Sequence, residues 1–119
     1  MYSTEITING KVYPIKFGSY VMKLIADDGI NIQELGKRIQ QNPYDIIPKI
    51  ILFGAINASE KRKGVDFDLY DLYDWIDTLP GGLSSDEVLK ITELFTSQIS
   101  DGVPQEKEKQ QKKPQAKKK

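Results

Sequence analysis

The chain has 119 residues, of which 39% are hydrophobic and 29% are charged, and its formal net charge is zero. It has no cysteine and no histidine, which excludes disulfides, thiolate metal sites and histidine-based acid–base catalysis. The charge is divided unevenly, because residues 104–119 hold seven lysines and two glutamates. That segment therefore carries +5 and residues 1–103 carry −5. We predict one globular domain over 1–103 and a disordered lysine-rich tail over 104–119, which lacks the apolar residues of a core.

The first predicted element is a β-hairpin over residues 4–17. Polar and apolar residues alternate on both sides of Asn9-Gly10, the pair favoured in a two-residue type I′ turn. Pro14 lies on the face opposite the apolar side chains and has no N–H group, which indicates a free strand edge. The cross-strand pairs predicted by this turn are Ile8 with Lys11, Ile6 with Tyr13, and Thr4 with Ile15.

Two short helices are predicted after the hairpin. Apolar residues recur at helical spacing after Ser19, which is predicted to cap the first helix, and Gly29 is predicted to end it. Asn31 with Glu34 three residues on has the pattern of a capping box and starts the second helix. This helix stops before Asn42-Pro43, because a residue that precedes proline avoids helical angles.

The third helix is predicted to be the longest and to form the centre of the core. It runs from Ile46 to about Lys63, and its apolar side chains cover most of its circumference. Gly64 follows its last turn. Pro48 is expected within the first turn, where a missing N–H group is tolerated.

Two amphipathic helices complete the predicted domain. Asp68 is predicted to cap a fourth helix that ends before Pro80-Gly81-Gly82. Ser84 with Glu87 three residues on has capping-box spacing and starts a fifth helix, which runs to about Ser100. The predicted fold class is therefore α+β and mostly α, with an N-terminal β-hairpin followed by about five helices within residues 19–100.

No combination of residues predicts catalysis. The serines have no histidine to activate them, and no phosphate-binding glycine motif is present. The densest acidic cluster has the wrong spacing for an EF-hand, because Asp71 stands where such a calcium loop requires glycine. We interpret these aspartates as helix caps and solvent-exposed side chains, and we expect no enzyme activity, metal or cofactor. The cluster comprises Asp66, Asp68, Asp71, Asp74 and Asp77.

Aromatic side chains are the candidates for partner binding, because aromatics are enriched at interaction hot spots. Tyr70 and Tyr73 alternate with aspartates on the fourth helix, so at least one of them is predicted to be exposed. Trp75 lies on the apolar face of that helix and is predicted to be core. Tyr20 in the first helix and Phe53 in the third helix complete the candidate set.

The two ends of the chain bear on localisation and on nucleic-acid binding. The N-terminus lacks a signal-peptide pattern, and no apolar run approaches the ~20 residues of a membrane span, so we expect a cytosolic protein without a membrane partner. Lysine runs can bind phosphate, but the tail has no arginine and no aromatic residue, which disfavours nucleic acid as the partner.

The order of elements and several short strings resemble the small tail assembly chaperones of long-tailed bacteriophages. The resemblance spans about residues 4–100. The strings that carry it are Ile-Thr-Ile-Asn-Gly-Lys-Val-Tyr-Pro-Ile-Lys-Phe-Gly at 6–18, Asp-Gly-Ile at 28–30, Phe-Gly-Ala at 53–55, Lys-Gly-Val-Asp-Phe-Asp at 63–68, Asp-Trp-Ile-Asp at 74–77 and Glu-Leu-Phe at 93–95.

This resemblance implies a non-enzymatic protein of the host cell cytoplasm that is absent from the mature virion. Such chaperones bind the tape measure protein and help tail-tube subunits assemble around it, which makes the tail-tube protein a second expected partner. The principal alternative is a structural tail-completion or connector protein of the phage particle. A third hypothesis is a nucleic-acid-binding regulatory module that uses the basic tail. The residues leave homo-oligomerisation open.

Overall fold

The computed structural model describes residues 2–102 of the chain, with side chains up to residue 99. The tail predicted over 104–119 lies outside the described residues. The predicted α+β, mostly helical architecture is confirmed. Short 3-10 turns precede α2 and follow α3 and α4. The elements are β1 (Ser3–Ile8), β2 (Lys11–Lys16), α1 (Ser19–Asp27), α2 (Leu35–Gln41), α3 (Pro43–Ala58), α4 (Leu69–Thr78) and α5 (Asp86–Gly102).

The hairpin has the predicted register. Asn9 and Gly10 both have positive φ, 53° and 81°, as a type I′ turn requires. Ile6, Ile8 and Ile15 are buried on the face that meets the helices. The three predicted cross-strand pairs are confirmed: Ile8 with Lys11, Ile6 with Tyr13, and Thr4 with Ile15.

The predicted free edge at Pro14 is also confirmed. Pro14 pairs with Glu5, between the pairs that place Ile6 opposite Tyr13 and Thr4 opposite Ile15. Hydrogen-bonded pairs alternate with non-bonded pairs in an antiparallel ladder, and the ladder continues with Phe17 donating to the Tyr2 carbonyl at 2.9 Å. The nitrogen of Pro14 therefore points away from β1, and no further strand pairs with β2 within residues 2–102.

The start of α1 differs from the prediction and its end agrees with it. Ser19 is the first helical residue and not the cap, because the extended Gly18 is the N-cap and makes no side-chain hydrogen bond. Gly29 ends the helix as predicted, with φ at 85°. The Ile30 N–H donates to the Ile25 carbonyl at 3.2 Å, which completes a Schellman motif between two buried side chains.

Asn31 caps only the 3-10 turn that precedes the second helix, and the predicted capping box with Glu34 does not form. The N-cap of α2 is Glu34, which makes no side-chain cap hydrogen bond, so the predicted start of this helix was wrong. The Asn31 side chain accepts instead from the backbone N–H of Gln33 at 2.9 Å. A bond to the residue two positions on is an Asx turn, and it produces one 3-10 turn before α2 begins at Leu35. α2 ends before Asn42-Pro43, as predicted.

The third helix is the central core helix, as predicted, but the predicted boundaries, Ile46 to about Lys63, are wrong. It begins at Pro43, a favoured first position for proline, and ends at Ala58, five residues before Lys63. The chain then turns, because the Ser59 hydroxyl accepts a hydrogen bond from the N–H of Gly64 at 3.2 Å. The buried residues of α3 are Ile46, Ile47, Pro48, Ile50, Ile51, Gly54, Ala55 and Asn57.

The predicted cap of α4 is confirmed, whereas the cap of α5 lies one residue after the predicted one. Asp68 and Asp71 form a reciprocal capping box at the start of α4, with both hydrogen bonds at 3.0 Å. At α5 the cap is Ser85 and not Ser84, because Ser84 ends a 3-10 turn. The Ser85 hydroxyl accepts from the N–H of Val88 at 3.3 Å.

Candidate functional site

Three exposed tyrosines lie together where α4 packs on α3. We call this group the tyrosine surface; it consists of Tyr44, Tyr70 and Tyr73, whose exposed fractions are 64%, 79% and 37%. Tyr73 contacts Tyr44 directly, through a hydrogen bond from its hydroxyl to the Tyr44 carbonyl at 2.7 Å. Tyr70 precedes Tyr73 by three residues on α4, so the two project from the same side of that helix.

The proline in α3 explains why Tyr73 bonds to the backbone there. Pro48 was expected in the first helical turn, but the earlier start of α3 places it in the second turn. A residue at this position would normally donate its N–H to the carbonyl of Tyr44, four residues before it, and proline has no N–H to donate. The Tyr73 hydroxyl supplies the missing donor. The defect in one helix therefore fixes the position of the next.

The orientation of α4 follows from its apolar stripe. Leu72, Trp75 and Ile76 are buried, which confirms the core assignment of Trp75. The opposite face consequently carries Tyr70, Tyr73 and the exposed carboxylates of Asp74 and Asp77. These two aspartates place negative charge on the same face of α4 as the tyrosines, as the amphipathic pattern predicted.

The structure separates the four residues predicted for partner binding. Tyr70 and Tyr73 belong to the tyrosine surface. Tyr20 is half-buried, and its ring lies 5.4 Å from the guanidinium of Arg62. Phe53 is half-buried and packs against the hydrophobic core. In the described part of the chain, neither Tyr20 nor Phe53 makes a hydrogen bond or ring contact with the tyrosine surface.

Tyr44 is the member that sequence reasoning missed. The predicted start of the third helix at Ile46 places Tyr44 in a connecting segment, whereas the helix begins at Pro43. Its signal was the preceding Pro43, because proline is favoured at the first helical position and Tyr44 then occupies the second. Even that signal would have predicted only exposure. The proximity of Tyr73 is a property of the packing.

A charged cluster joins the hairpin to the segment that leads into α4. Lys11 forms an ion pair with Asp66 at 2.7 Å, and the Tyr13 hydroxyl donates to the other oxygen of the same carboxylate. The hydrogen bond from Lys11, and next that from Tyr13, lowers the pKa of Asp66. The Tyr13 ring packs edge-on against Phe67 at 4.7 Å. These contacts set where α4 starts relative to the sheet.

A second ionic network lies at the N-terminal end of α3, close to Tyr44 in the sequence. Lys49 bonds Asp28 at 2.9 Å and Asp45 at 3.5 Å, and Arg38 approaches Asp45 at 3.9 Å. The hydrogen bond to Asp28 is the main cause of the raised pKa of Lys49. The network ties α1 and α2 to the first turns of α3, which supports the backbone that carries Tyr44.

Within residues 2–102 no group of three or more carboxylates is placed to hold a metal ion. Asp68 and Asp71, which the sequence suggested as caps, hold each other's backbone N–H groups. No helix in the same range has the length and apolar character needed to cross a bilayer.

Comparison with protein-family models, with curated proteins and with solved structures finds no match for this chain.

Proposed function

We propose that this protein is a non-enzymatic tail assembly chaperone of a long-tailed phage. It binds the tape measure protein in the host cell cytoplasm, helps tail-tube subunits assemble around it, and is left out of the mature virion. The observation that carries the proposal is the tyrosine surface, since Tyr44, Tyr70 and Tyr73 expose aromatic area on a rigid pair of helices. The resemblance over residues 4–100 supplies the partner.

Tyrosine suits reversible binding of this kind. Its ring provides a large apolar contact, its hydroxyl remains satisfied by water or by a partner, and few rotatable bonds must be ordered on binding. The neighbouring Asp74 and Asp77 are exposed and favour a partner with basic residues beside its apolar ones. An amphipathic helix with lysine or arginine along its rim meets both requirements.

Co-expression with the tape measure protein encoded by the same phage or prophage tests the proposal. We expect the full chain to co-purify with it, and we expect Tyr70→Ser combined with Tyr44→Ser to weaken the interaction about tenfold or more, as the loss of hot-spot aromatics does. Leu89→Ser is the matched control, because Leu89 is an exposed apolar residue on α5 outside the tyrosine surface. Binding that survives the double substitution contradicts the assigned surface.

Mass spectrometry of purified virions tests the assembly role separately. A chaperone is absent from the particle, whereas a tail-completion or connector protein is present at a fixed number of copies per tail. Recovery of the protein at such a stoichiometry would replace the chaperone proposal with the structural alternative.

A further inference from the structure

A second site lies at the free edge of β2, where the hairpin meets the end of α3. A pocket of about 470 Å³ opens between β2 and the 3-10 turn that follows α3. Three cationic side chains line it, together with three hydroxyl groups, and no carboxylate does. The cations are Lys16, Lys61 and Arg62, and the hydroxyls belong to Ser3, Thr4 and Ser59.

These three cations have no counter-ion within residues 2–99. Four of the seven other cations in that range form ion pairs, namely Lys11, Lys23, Arg38 and Lys49. Residues 1–103 carry a net charge of −5, so carboxylates outnumber cations in the domain as a whole. Three unpaired cations around one pocket of an acidic domain indicate a place for an anion from outside.

The guanidinium of Arg62 is held in position by a buried amide. The Asn57 side chain, only 7% exposed, donates to the Lys16 carbonyl at 2.9 Å and accepts from Arg62 Nε at 2.9 Å. The Tyr20 ring lies beneath the same guanidinium. Both terminal nitrogens of Arg62 therefore remain available, and their parallel N–H groups match the two oxygens of a carboxylate.

The backbone of this turn is in an unusual conformation. Lys61 and Arg62 are consecutive non-glycine residues, and each has φ at 55°, in the left-handed region that such side chains rarely adopt. Strain of this kind persists where the surroundings enforce it and concentrates at binding sites. Here the bonds from Asn57 to Arg62 and to β2 provide the enforcement.

The pocket continues as a groove along β2. A second hollow of about 430 Å³ shares Pro14, Ala58 and Ser59 with the first. It is lined further on by apolar side chains, among them Val12, which is 53% exposed, and Val65. Glu60 and Asp66 also lie along this part, and Asp66 is paired with Lys11.

We propose that this groove binds an extended acidic segment of a partner protein, with a carboxylate on the Arg62 fork and apolar side chains against Val12 and Val65. The lysine-rich residues 104–119 have the wrong charge to be the occupant. A nucleic-acid strand fits less well, because the groove has one arginine and becomes apolar away from it. The inference goes beyond the proposed function, since Asn57 lies thirteen residues along α3 from Tyr44, or about 20 Å of helix.

Peptide titration of the full ¹⁵N-labelled chain tests this site. The probes are two acetylated, amidated pentapeptides, Glu-Thr-Val-Thr-Val and its reverse, because an extended segment can lie in the groove in either direction. The same peptides with Gln in place of Glu are the matched controls. We expect an acidic peptide to shift the amide resonances of Lys16, Lys61 and Arg62, and its Gln analogue to bind about tenfold more weakly. Arg62→Gln should remove the shifts, and Lys16→Gln provides a second variant outside the strained turn.

Lys90→Gln is the control for charge alone, because Lys90 is an exposed cation on α5 away from the groove. We expect it to bind as the parent does. The proposal is overturned if neither acidic peptide shifts these resonances at up to about 10 mM, or if the Gln analogues bind equally well. It is also overturned if inorganic phosphate or a DNA duplex competes at the same residues with higher affinity than the peptides, since the site would then be a phosphate site.

Discussion

The Tyr73 hydroxyl on α4 donates a 2.7 Å hydrogen bond to the main-chain carbonyl of Tyr44 on α3. That carbonyl is available because Pro48, four residues on, has no N–H group. The bond brings the exposed side chain of Tyr73 to the backbone of Tyr44 and anchors the helix that carries Tyr70. A backbone defect in the core helix therefore coincides with the proposed binding surface.

Substitution of Tyr73 by Phe tests this relationship. We expect Tyr73→Phe to lower the free energy of unfolding by about 0.5–1.5 kcal/mol, because it removes the only side-chain donor to the Tyr44 carbonyl in the described part of the chain. In a Pro48→Ala background the helical N–H returns and the cost of Tyr73→Phe should shrink. Urea unfolding of the four proteins of this cycle measures the coupling. Tyr70→Phe is the control and should be close to neutral. If Tyr73→Phe costs the same with Pro48 and with Ala at that position, the Tyr73 hydroxyl does not replace the missing N–H group.

Two glycine-to-alanine changes should have opposite signs. A Cβ at Gly54 would lie 2.8 Å from Ile15 Cγ2 and 2.8 Å from Phe17 Cε1, so α3 could not approach β2 as closely. We expect Gly54→Ala to destabilise the fold by about 1–3 kcal/mol, as overpacking does. Gly36→Ala on α2 meets open space and should stabilise by about 0.4–1 kcal/mol. Thermal unfolding of both variants checks the pair, and a neutral Gly54→Ala would contradict the close approach.

The capping box of α4 should support the binding surface as well as the fold. Asp68→Ala removes the acceptor for the Asp71 N–H and should cost about 0.5–2 kcal/mol. Asp77→Ala changes the charge equally at an exposed position near the other end of α4 and should have little effect. Amide hydrogen exchange locates the change: we expect faster exchange in the first turns of α4 only in Asp68→Ala. Uniform acceleration across all helices would indicate a different role.

The carboxylate of Asp66 should titrate below its usual range. The hydrogen bond from Lys11 is the main cause of its lowered pKa, followed by that from Tyr13. Because the folded pKa lies below the unfolded value of about 3.9, the cluster stabilises the fold above that value. Its contribution is lost as pH falls through the folded pKa. A ¹³C titration of the Asp66 carboxyl should show the midpoint rising in Lys11→Gln and staying in place in Lys16→Gln, whose side chain lies on the same strand.

Local signals in the chain predicted those elements whose geometry depends on adjacent residues. The register of the hairpin follows from Asn9-Gly10, because only a two-residue turn with positive φ at both positions keeps the apolar side chains on one face. The Asp68 cap and the Gly29 stop are local in the same sense. The wrong cap predicted for α5 is also a local error. Ser84 and Ser85 both offer a hydroxyl, and only Ser85 directly precedes the helix.

Long-range contacts decided what those signals left open. The sequence by itself determined an N-terminal hairpin, a run of amphipathic helices and exposed tyrosines on the fourth of them, because turn chemistry and periodicity act over a few residues. The tertiary structure alone brought Tyr73 to the Tyr44 carbonyl and the Asn57 side chain to the Lys16 carbonyl. Such pairs join residues from separate elements, and their proximity arises when those elements pack around Gly54 and the buried face of α3. No spacing along the chain encodes that distance.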